Sequence, residues 1–385
     1  MLNKTISAIK PSATLAISAK AKQMKRQGKD VVIFAAGEPD FDTPDNIKDA
    51  AVRAIEEGKT KYTPASGLPE LKQAVCDKFK RDNDVDYIQE NVIISNGGKH
   101  VLSNIARALL DPGDEVIVPQ PIWLTYPVQV QIAGGRPIYL QLPDGFKLTA
   151  DAVAEKVTEK TKYLILNTPC NPTGAVIDPS EIRKIAELAL EKDFMIVADE
   201  VYEHFLYDGK KHLSAASISE EVREKILTVN AVSKSYSMTG WRIGYVAGPA
   251  DIIKAMSNLQ SQETSNPCSI AQHAAVEALT GPQDSIRKMV DAFRERRKIA
   301  IDGLNSISGI RCYNSEGAFY AWFNIQDVSK AKGSMDFAEK LLDQAGVAVI
   351  PGAPFGGEGW IRLSYASAKE DIEKGLERIR DWTES

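Results

Sequence analysis

The chain has 385 residues, 43% hydrophobic and 26% charged, with a formal net charge of −5 and a pI near 5.6. That composition fits a globular protein with more than one core, and the acidic balance argues against a general nucleic-acid or anionic-membrane surface. The four cysteines (Cys76, Cys170, Cys268, Cys312) are scattered and form no CxxC pair, which argues against a disulfide framework or zinc site and predicts reduced thiols. The first residues, "MLNKTISAIKPSATLAISAKAK", lack an uninterrupted apolar segment, and no run reaches membrane-spanning length, so a cytoplasmic location is expected.

In chain order, residues 13–28 predict an amphipathic helix, and "VVIFAAGEPDFDTPD" a short strand running into a Gly/Pro loop. Thr43-Pro44 opens a helix to about residue 57, and "LPELKQAVCDKFKRDND" is helical again. Strands "NVIIS", "DEVIVP", "RPIYLQL", "KYLILN", "FMIVAD", "ILTVNAV" and "IGYVAG" follow, with helices predicted at 99–110, 123–133, 179–190, 250–261 and 268–280. Short apolar strands alternating with helices imply an α/β fold, a mainly parallel sheet covered on both faces. After residue 283 come a long charged helix and the strand-like "AFYAWFNI" and "WIRLSYA", a smaller α+β unit. The strand "VVIFAAG" has no place in the alternating series and is expected to join that unit. The expected division is 45–283 for the large domain, and 1–44 with 284–385 for the small one.

Ligands of open α/β sheets bind beyond the carboxyl ends of the strands. Those ends carry "NGGK" (96–99), "TPCNPTG" (168–174), "DEVY" (199–202) and "SKSYSMTGWR" (233–242). Lys234 reads either as a lysine snorkelling from a strand end or as an amine activated by burial and a nearby cation, the kind that holds pyridoxal phosphate as a Schiff base. Arg242 would then meet the phosphate. Asp199 is either a helix N-cap or the partner of a pyridinium nitrogen, with Tyr202 within reach of the phenolic oxygen. Gly97-Gly98 opens a helix with N–H groups free for a phosphate, yet the stretch is no nucleotide P-loop. Lys99 opposes the helix dipole and is either solvated or partnered by a ligand carboxylate. Trp123 is core or a stacking surface, and Arg362 is an ion-paired residue or a carboxylate clamp.

Taken together, "KPSAT" (10–14), "AGEPDFDTP" (36–44), "KYTPASGLPEL" (61–71), "GGKH" (97–100), "LDPGDEV" (110–116), "NPTGAV" (171–176), "ADEVYEH" (198–204), "SKSYSMTGWRIGY" (233–245) and "RLSYA" (362–366) resemble the class I/II aminotransferases of fold type I. The likeness is to their bacterial aspartate aminotransferase branch. The resemblance implies a seven-stranded, mainly parallel sheet and pyridoxal 5′-phosphate as cofactor. It makes Lys234 the Schiff-base lysine and proton shuttle, and pairs Asp199 with the ring nitrogen. It places Asn171 and Tyr202 on the phenolic oxygen, Trp123 on the ring, and Gly98, Lys99 and Arg242 at the phosphate. It assigns Tyr62 to the phosphate of a neighbouring subunit, implying a homodimer with shared active sites. Arg362, with Gly37 and Asn171 beside it, would take the α-carboxylate, and Lys99 the distal one.

The chain departs from the family at Ala231, where many relatives have a phosphate-binding hydroxyl; Ser233, Ser235 and Ser237 are the candidate substitutes. The implied reaction is ping-pong transfer of the amino group from L-aspartate to 2-oxoglutarate. Prephenate, aromatic amino acids, alanine or a C–S lyase reaction are alternatives on the same scaffold. A pyridoxal-phosphate sensor fused to a basic segment, a nicotinamide dehydrogenase with GxGxxG, and a metal hydrolase using His204, His212 and Asp199 all lack their sequence signatures.

Overall fold

A computed structural model describes residues 4–9, 11 and 13–385. Lys10 and Ser12 of the 10–14 motif lie outside the described residues. The first strand, β1 (Val32–Ile33), is followed by β2 (Val92–Ser95), β3 (Glu115–Gln120), β4 (Arg136–Gln141), β5 (Thr161–Asn167), β6 (Met195–Asp199), β7 (Ile226–Ala231) and β8 (Gly244–Ala247). Strands β2 to β8 form one seven-stranded sheet in the order β2-β8-β7-β6-β5-β3-β4. Only β8 runs antiparallel to its neighbours, the other pairings being parallel.

The period of two along each strand divides the core. Leu164, Leu166, Ile196 and Ala198 pack on one face with the helices Pro69–Asn83, Pro179–Lys192 and Ser269–Thr280. Tyr163, Ile165 and Val197 pack on the other with the helices Gly98–Leu109, Thr125–Ile132 and Ala250–Glu263. Burial on both faces is why these strands read as continuous apolar runs instead of alternating ones.

The remaining strands are β9 (Arg311–Cys312), β10 (Tyr320–Asn324), β11 (Val347–Ala348), β12 (Ile350–Pro351) and β13 (Trp360–Ser364). An antiparallel sheet runs β12-β13-β10-β9, and β1 pairs in parallel with β11. The strand expected over "VVIFAAG" is thus only two residues long. Its later carbonyls turn to side chains instead of a ladder: Ala35 O accepts from Arg362 Nη2 at 3.2 Å and Gly37 O from Lys234 Nζ at 2.5 Å. No helix among the described residues is long and apolar enough to cross a membrane.

Candidate active site

Strands β2, β5, β6 and β7 all end at one edge of the large sheet, and antiparallel β8 begins there, so Arg242 arrives at the edge that Lys234 leaves. A cavity of about 390 Å³ opens at this edge. It is lined by Gly37, Gly98, Lys99, Trp123, Asn171, Asp199, Tyr202, Lys234, Arg242 and Arg362, leaving out Tyr62 and two of the candidate hydroxyls, Ser235 and Ser237. The Tyr62 side chain is instead turned to solvent, 91% exposed. Of the three candidate hydroxyls, Ser233 lines the cavity.

β7 passes at Ala231 into one helical turn, Val232–Ser235, which lifts Lys234 over the strand end. Burial lowers the Lys234 pKa to about 8; Glu38 and, less, Asp199 oppose the shift, while Arg362 and Arg242 push the same way as burial. Asp199, the last residue of β6, is pushed the other way, to about 6, by burial. Two donors oppose that shift: Tyr126 Oη at 2.6 Å from Oδ2 and the Val201 N–H at 3.2 Å from Oδ1. A carboxylate this deeply buried, with no basic side chain bonded to it, is suited to a cationic ligand group such as a protonated ring nitrogen.

Arg362 comes from β13, an interior strand of the small sheet, and is 3% exposed. Its Nη1 donates to Asn171 Oδ1 at 2.9 Å, its plane lies over the Tyr320 ring at 4.5 Å, and its Nε has no partner. A buried guanidinium with donor capacity to spare, facing a cavity, is fitted to a carboxylate. Lys99 Nζ lies 4.9 Å from the Trp123 ring centroid. Burial, then Arg242, lowers its pKa.

The phosphate end is tightly built. A Cβ on Gly97 (φ +82°) would fall on the Arg242 guanidinium, and one on Gly244 would fall on Gly98 N. These glycines bring a cation and the first turn of the helix Gly98–Leu109 together. The Gly98 and Lys99 N–H groups of that turn have no intrahelical acceptor, while the His100 N–H returns to Gly97 O at 3.0 Å, and the two free groups make an anion cradle. Cradle, buried carboxylate, part-buried amine and flat Trp123 together fit pyridoxal phosphate.

Sequence reasoning missed Tyr126, Tyr320 and Asn167. Tyr126 stands one helical turn after Trp123, the only signal it gave. Tyr320 Oη lies 2.8 Å from Tyr202 Oη, and Asn167 joins the β5 and β6 ends through Asp199 O (3.1 Å) and the Asn171 N–H (2.9 Å). Removing the phenol in Tyr126→Phe strips a donor from Asp199 and raises its pKa further. The expected result is a kcat loss of about tenfold and an acid limb of the kcat–pH profile displaced to higher pH, read by steady-state rates from pH 5 to 9.

The family described as aminotransferase class I and II matches residues 29–379. An aspartate aminotransferase of Bacillus sp. (strain YM-2) is 49% identical, with 98% of each chain covered. A probable aspartate/prephenate aminotransferase of Aquifex aeolicus is 47% identical, again with 98% of each covered. The solved structure of the Thermus thermophilus aspartate aminotransferase with maleate superposes with a TM-score of 0.94 at 44% identity, covering 99% of both chains. The chain belongs to the class I and II aminotransferases, which are pyridoxal-phosphate enzymes.

Proposed function

We propose that the protein transfers the amino group of L-aspartate to 2-oxoglutarate by a ping-pong route. The observation that carries this reading is the charge of the cavity. Lys22, Lys99, Lys234, Arg242 and Arg362 face it, against Glu38 and Asp199, in a chain whose net charge is −5. Such a surplus of cations selects a phosphorylated cofactor and a dianionic substrate. The maleate in the Thermus structure, a four-carbon dicarboxylate, and the names of the relatives support the same choice.

Bound there, pyridoxal phosphate supplies the carbonyl carbon that takes up the amino group and the ring that draws electrons from the substrate Cα. The chain's own residues do the rest. Arg362 binds the α-carboxylate by two parallel N–H···O bonds, with Gly37 and Asn171 beside it. Lys99 meets the distal carboxylate. Lys234 Nζ, neutral in an appreciable fraction near pH 8, would take the Cα proton and hand it to the cofactor carbon that receives the amino group. Asp199 keeps a proton on the ring nitrogen, while Tyr202 and Asn171 hold the ring oxygen. Trp123 stacks on the ring, and Gly98, the Lys99 N–H, Ser233 and Arg242 hold the phosphate.

We also propose the division into a large domain, 45–283, and a small one, 1–44 with 284–385. A homodimer in the cytoplasm, in which Tyr62 meets the phosphate of the second copy, completes the reading; a phenol left 91% exposed by its own chain supports it.

A visible absorption spectrum tests the substrate. The band of the bound cofactor is expected to bleach with L-aspartate and to return with 2-oxoglutarate. A band that ignores aspartate and responds to an aromatic or prephenate-derived donor overturns the assignment; prephenate is the second reading because relatives such as the Aquifex protein carry it in their names. Lys99→Ala is expected to raise KM for aspartate about 10- to 100-fold, the value of a charge-assisted hydrogen bond, and that for alanine or phenylalanine far less. Equal effects on every donor refute the distal-carboxylate role.

A further inference from the structure

Behind the strand ends lies a second polar cluster that takes no part in the chemistry above. Lys78, on the helix Pro69–Asn83, is 1% exposed; Glu203 is 6%, Asn83 7% and Asn230 2% exposed. The Lys78 ammonium pairs with Glu203 Oε1 and donates to Asn83 Oδ1 at 2.7 Å. Glu203 also accepts from Asn83 Nδ2 at 2.7 Å on Oε2 and from Asn230 Nδ2 at 2.6 Å on Oε1. Asn230 Oδ1 in turn accepts the Ala231 N–H at 2.8 Å.

The position of this chain of bonds is what matters. Asn230 and Ala231 end β7 and line the cavity, just before the turn that carries Lys234. Glu203 follows Tyr202 directly and stands four residues beyond Asp199. A metal-site reading fails on the same geometry. Glu200, Glu203 and His212 bring ligand atoms within 4.8 Å of one another. Lys78 already sits on Glu203, which also accepts from both asparagines, and His212 Nε2 lies 3.0 Å from Glu200 Oε2. A cation at Glu203 would have to displace the Lys78 ammonium, even though both Glu200 oxygens and His212 Nε2 have no hydrogen-bond partner.

We propose that Lys78, Glu203 and Asn230 form a positioning relay that fixes the end of β7, and with it Lys234, against the segment carrying Asp199 and Tyr202. The proposal rests on Lys234 being the cofactor-bearing amine. Stability alone does not call for these residues. A buried ion pair replaced at both ends by apolar groups costs little, whereas removing one end strands a charge. What an apolar pair cannot do is accept the Asn230 amide.

A variant set separates the two roles. Lys78→Met and Glu203→Met alone are expected to lower the melting temperature. The double variant Lys78→Met/Glu203→Met is expected to melt above either single variant, though below wild type because Asn83 and Asn230 lose partners, while kcat stays down about 10- to 100-fold, the scale of a misplacement near 1 Å. KM for aspartate should change less than about twofold, and the visible band of the bound cofactor should be lost faster on dialysis. Lys78→Met/Glu203→Gln keeps an acceptor for Asn230 and is expected to restore most of kcat and cofactor retention. Wild-type kcat and retention in the double methionine variant, or no rescue by glutamine in a folded protein, overturn the relay. Should the double methionine variant fail to fold, the glutamine variant decides: unimpaired melting with kcat as low as in Lys78→Met rejects the proposal. Lys234→Ala serves as control, because turnover near the wild-type rate in that variant sinks the site reading itself.

Discussion

Lys234→Ala is expected to lose at least about 10⁴-fold in turnover, because one side chain supplies both the covalent anchor and the proton transfer. Folding should survive, since the replacement removes a buried amine whose pKa is depressed to about 8, a group that is costly to protonate where it stands. The variant should still bind cofactor noncovalently, through Arg242 and the first turn of the helix Gly98–Leu109. Lys234→Arg should be equally inert, because a guanidinium does not deprotonate near neutral pH. The pKa adds a signed test on protein stripped of cofactor. Only the neutral amine attacks a carbonyl, so the rate of cofactor capture should rise with pH and level off above about 8. An ordinary lysine would keep gaining up to its usual value of about 10.4. Turnover near the wild-type rate in Lys234→Ala, or a capture rate still climbing at pH 10, removes Lys234 from its role.

Asp199→Asn should cost about 10²- to 10³-fold in kcat, the range for deleting one preorganised electrostatic partner. Asparagine is nearly isosteric and still accepts from Tyr126, so the cavity keeps its shape while the charge and the acceptor for the Val201 N–H are lost. The same substitution should stabilise the cofactor-free protein. The folded pKa, about 6, lies above the ordinary 3.8. The unfolded chain therefore ionises first, and the fold loses stability as pH rises from about 4 to 6, with the deficit constant above. At pH 8 that deficit is roughly 3 kcal/mol, the worth of about two pKa units. Thermal unfolding of the two stripped proteins at pH 8 and at pH 4 measures it: the asparagine variant should melt higher at the first and equally at the second. An equal kcat, or no stability gain at pH 8, contradicts the role of Asp199.

Much of this arrangement was legible in the sequence for a simple reason. Parallel strands buried on both faces must be apolar throughout, so a residue such as Asp199 or Lys234 at the end of such a run stands out. The strand order and the reversed direction of β8 were not legible, because pairing partners leave no local mark. The reversal nonetheless decides why Arg242, which precedes its strand instead of following one, reaches the common edge. Tyr126 was hidden inside an apolar helix where a tyrosine reads as core. Lys78 and Glu203 were hidden more thoroughly, since each looks like an ordinary solvated charge on a helix or loop and only the fold shows both buried. The two-residue length of β1 was missed because "VVIFAAG" has the composition of a longer strand, while its last carbonyls are taken by side chains.

The contact between Arg362 and Ala35 O spans 327 positions of the chain. Most of the cofactor side of the cavity, from Gly98 to Arg242, can assemble before that contact exists, Tyr202 excepted because it packs on Tyr320. The carboxylate clamp cannot. A chain still emerging from the ribosome, or one clipped ahead of β13, would hold the groups that grip a phosphate yet lack the one proposed to grip the α-carboxylate. Unfinished and damaged copies would then sequester cofactor without consuming amino acids, and competence to turn over substrate would arrive only with the last tenth of synthesis.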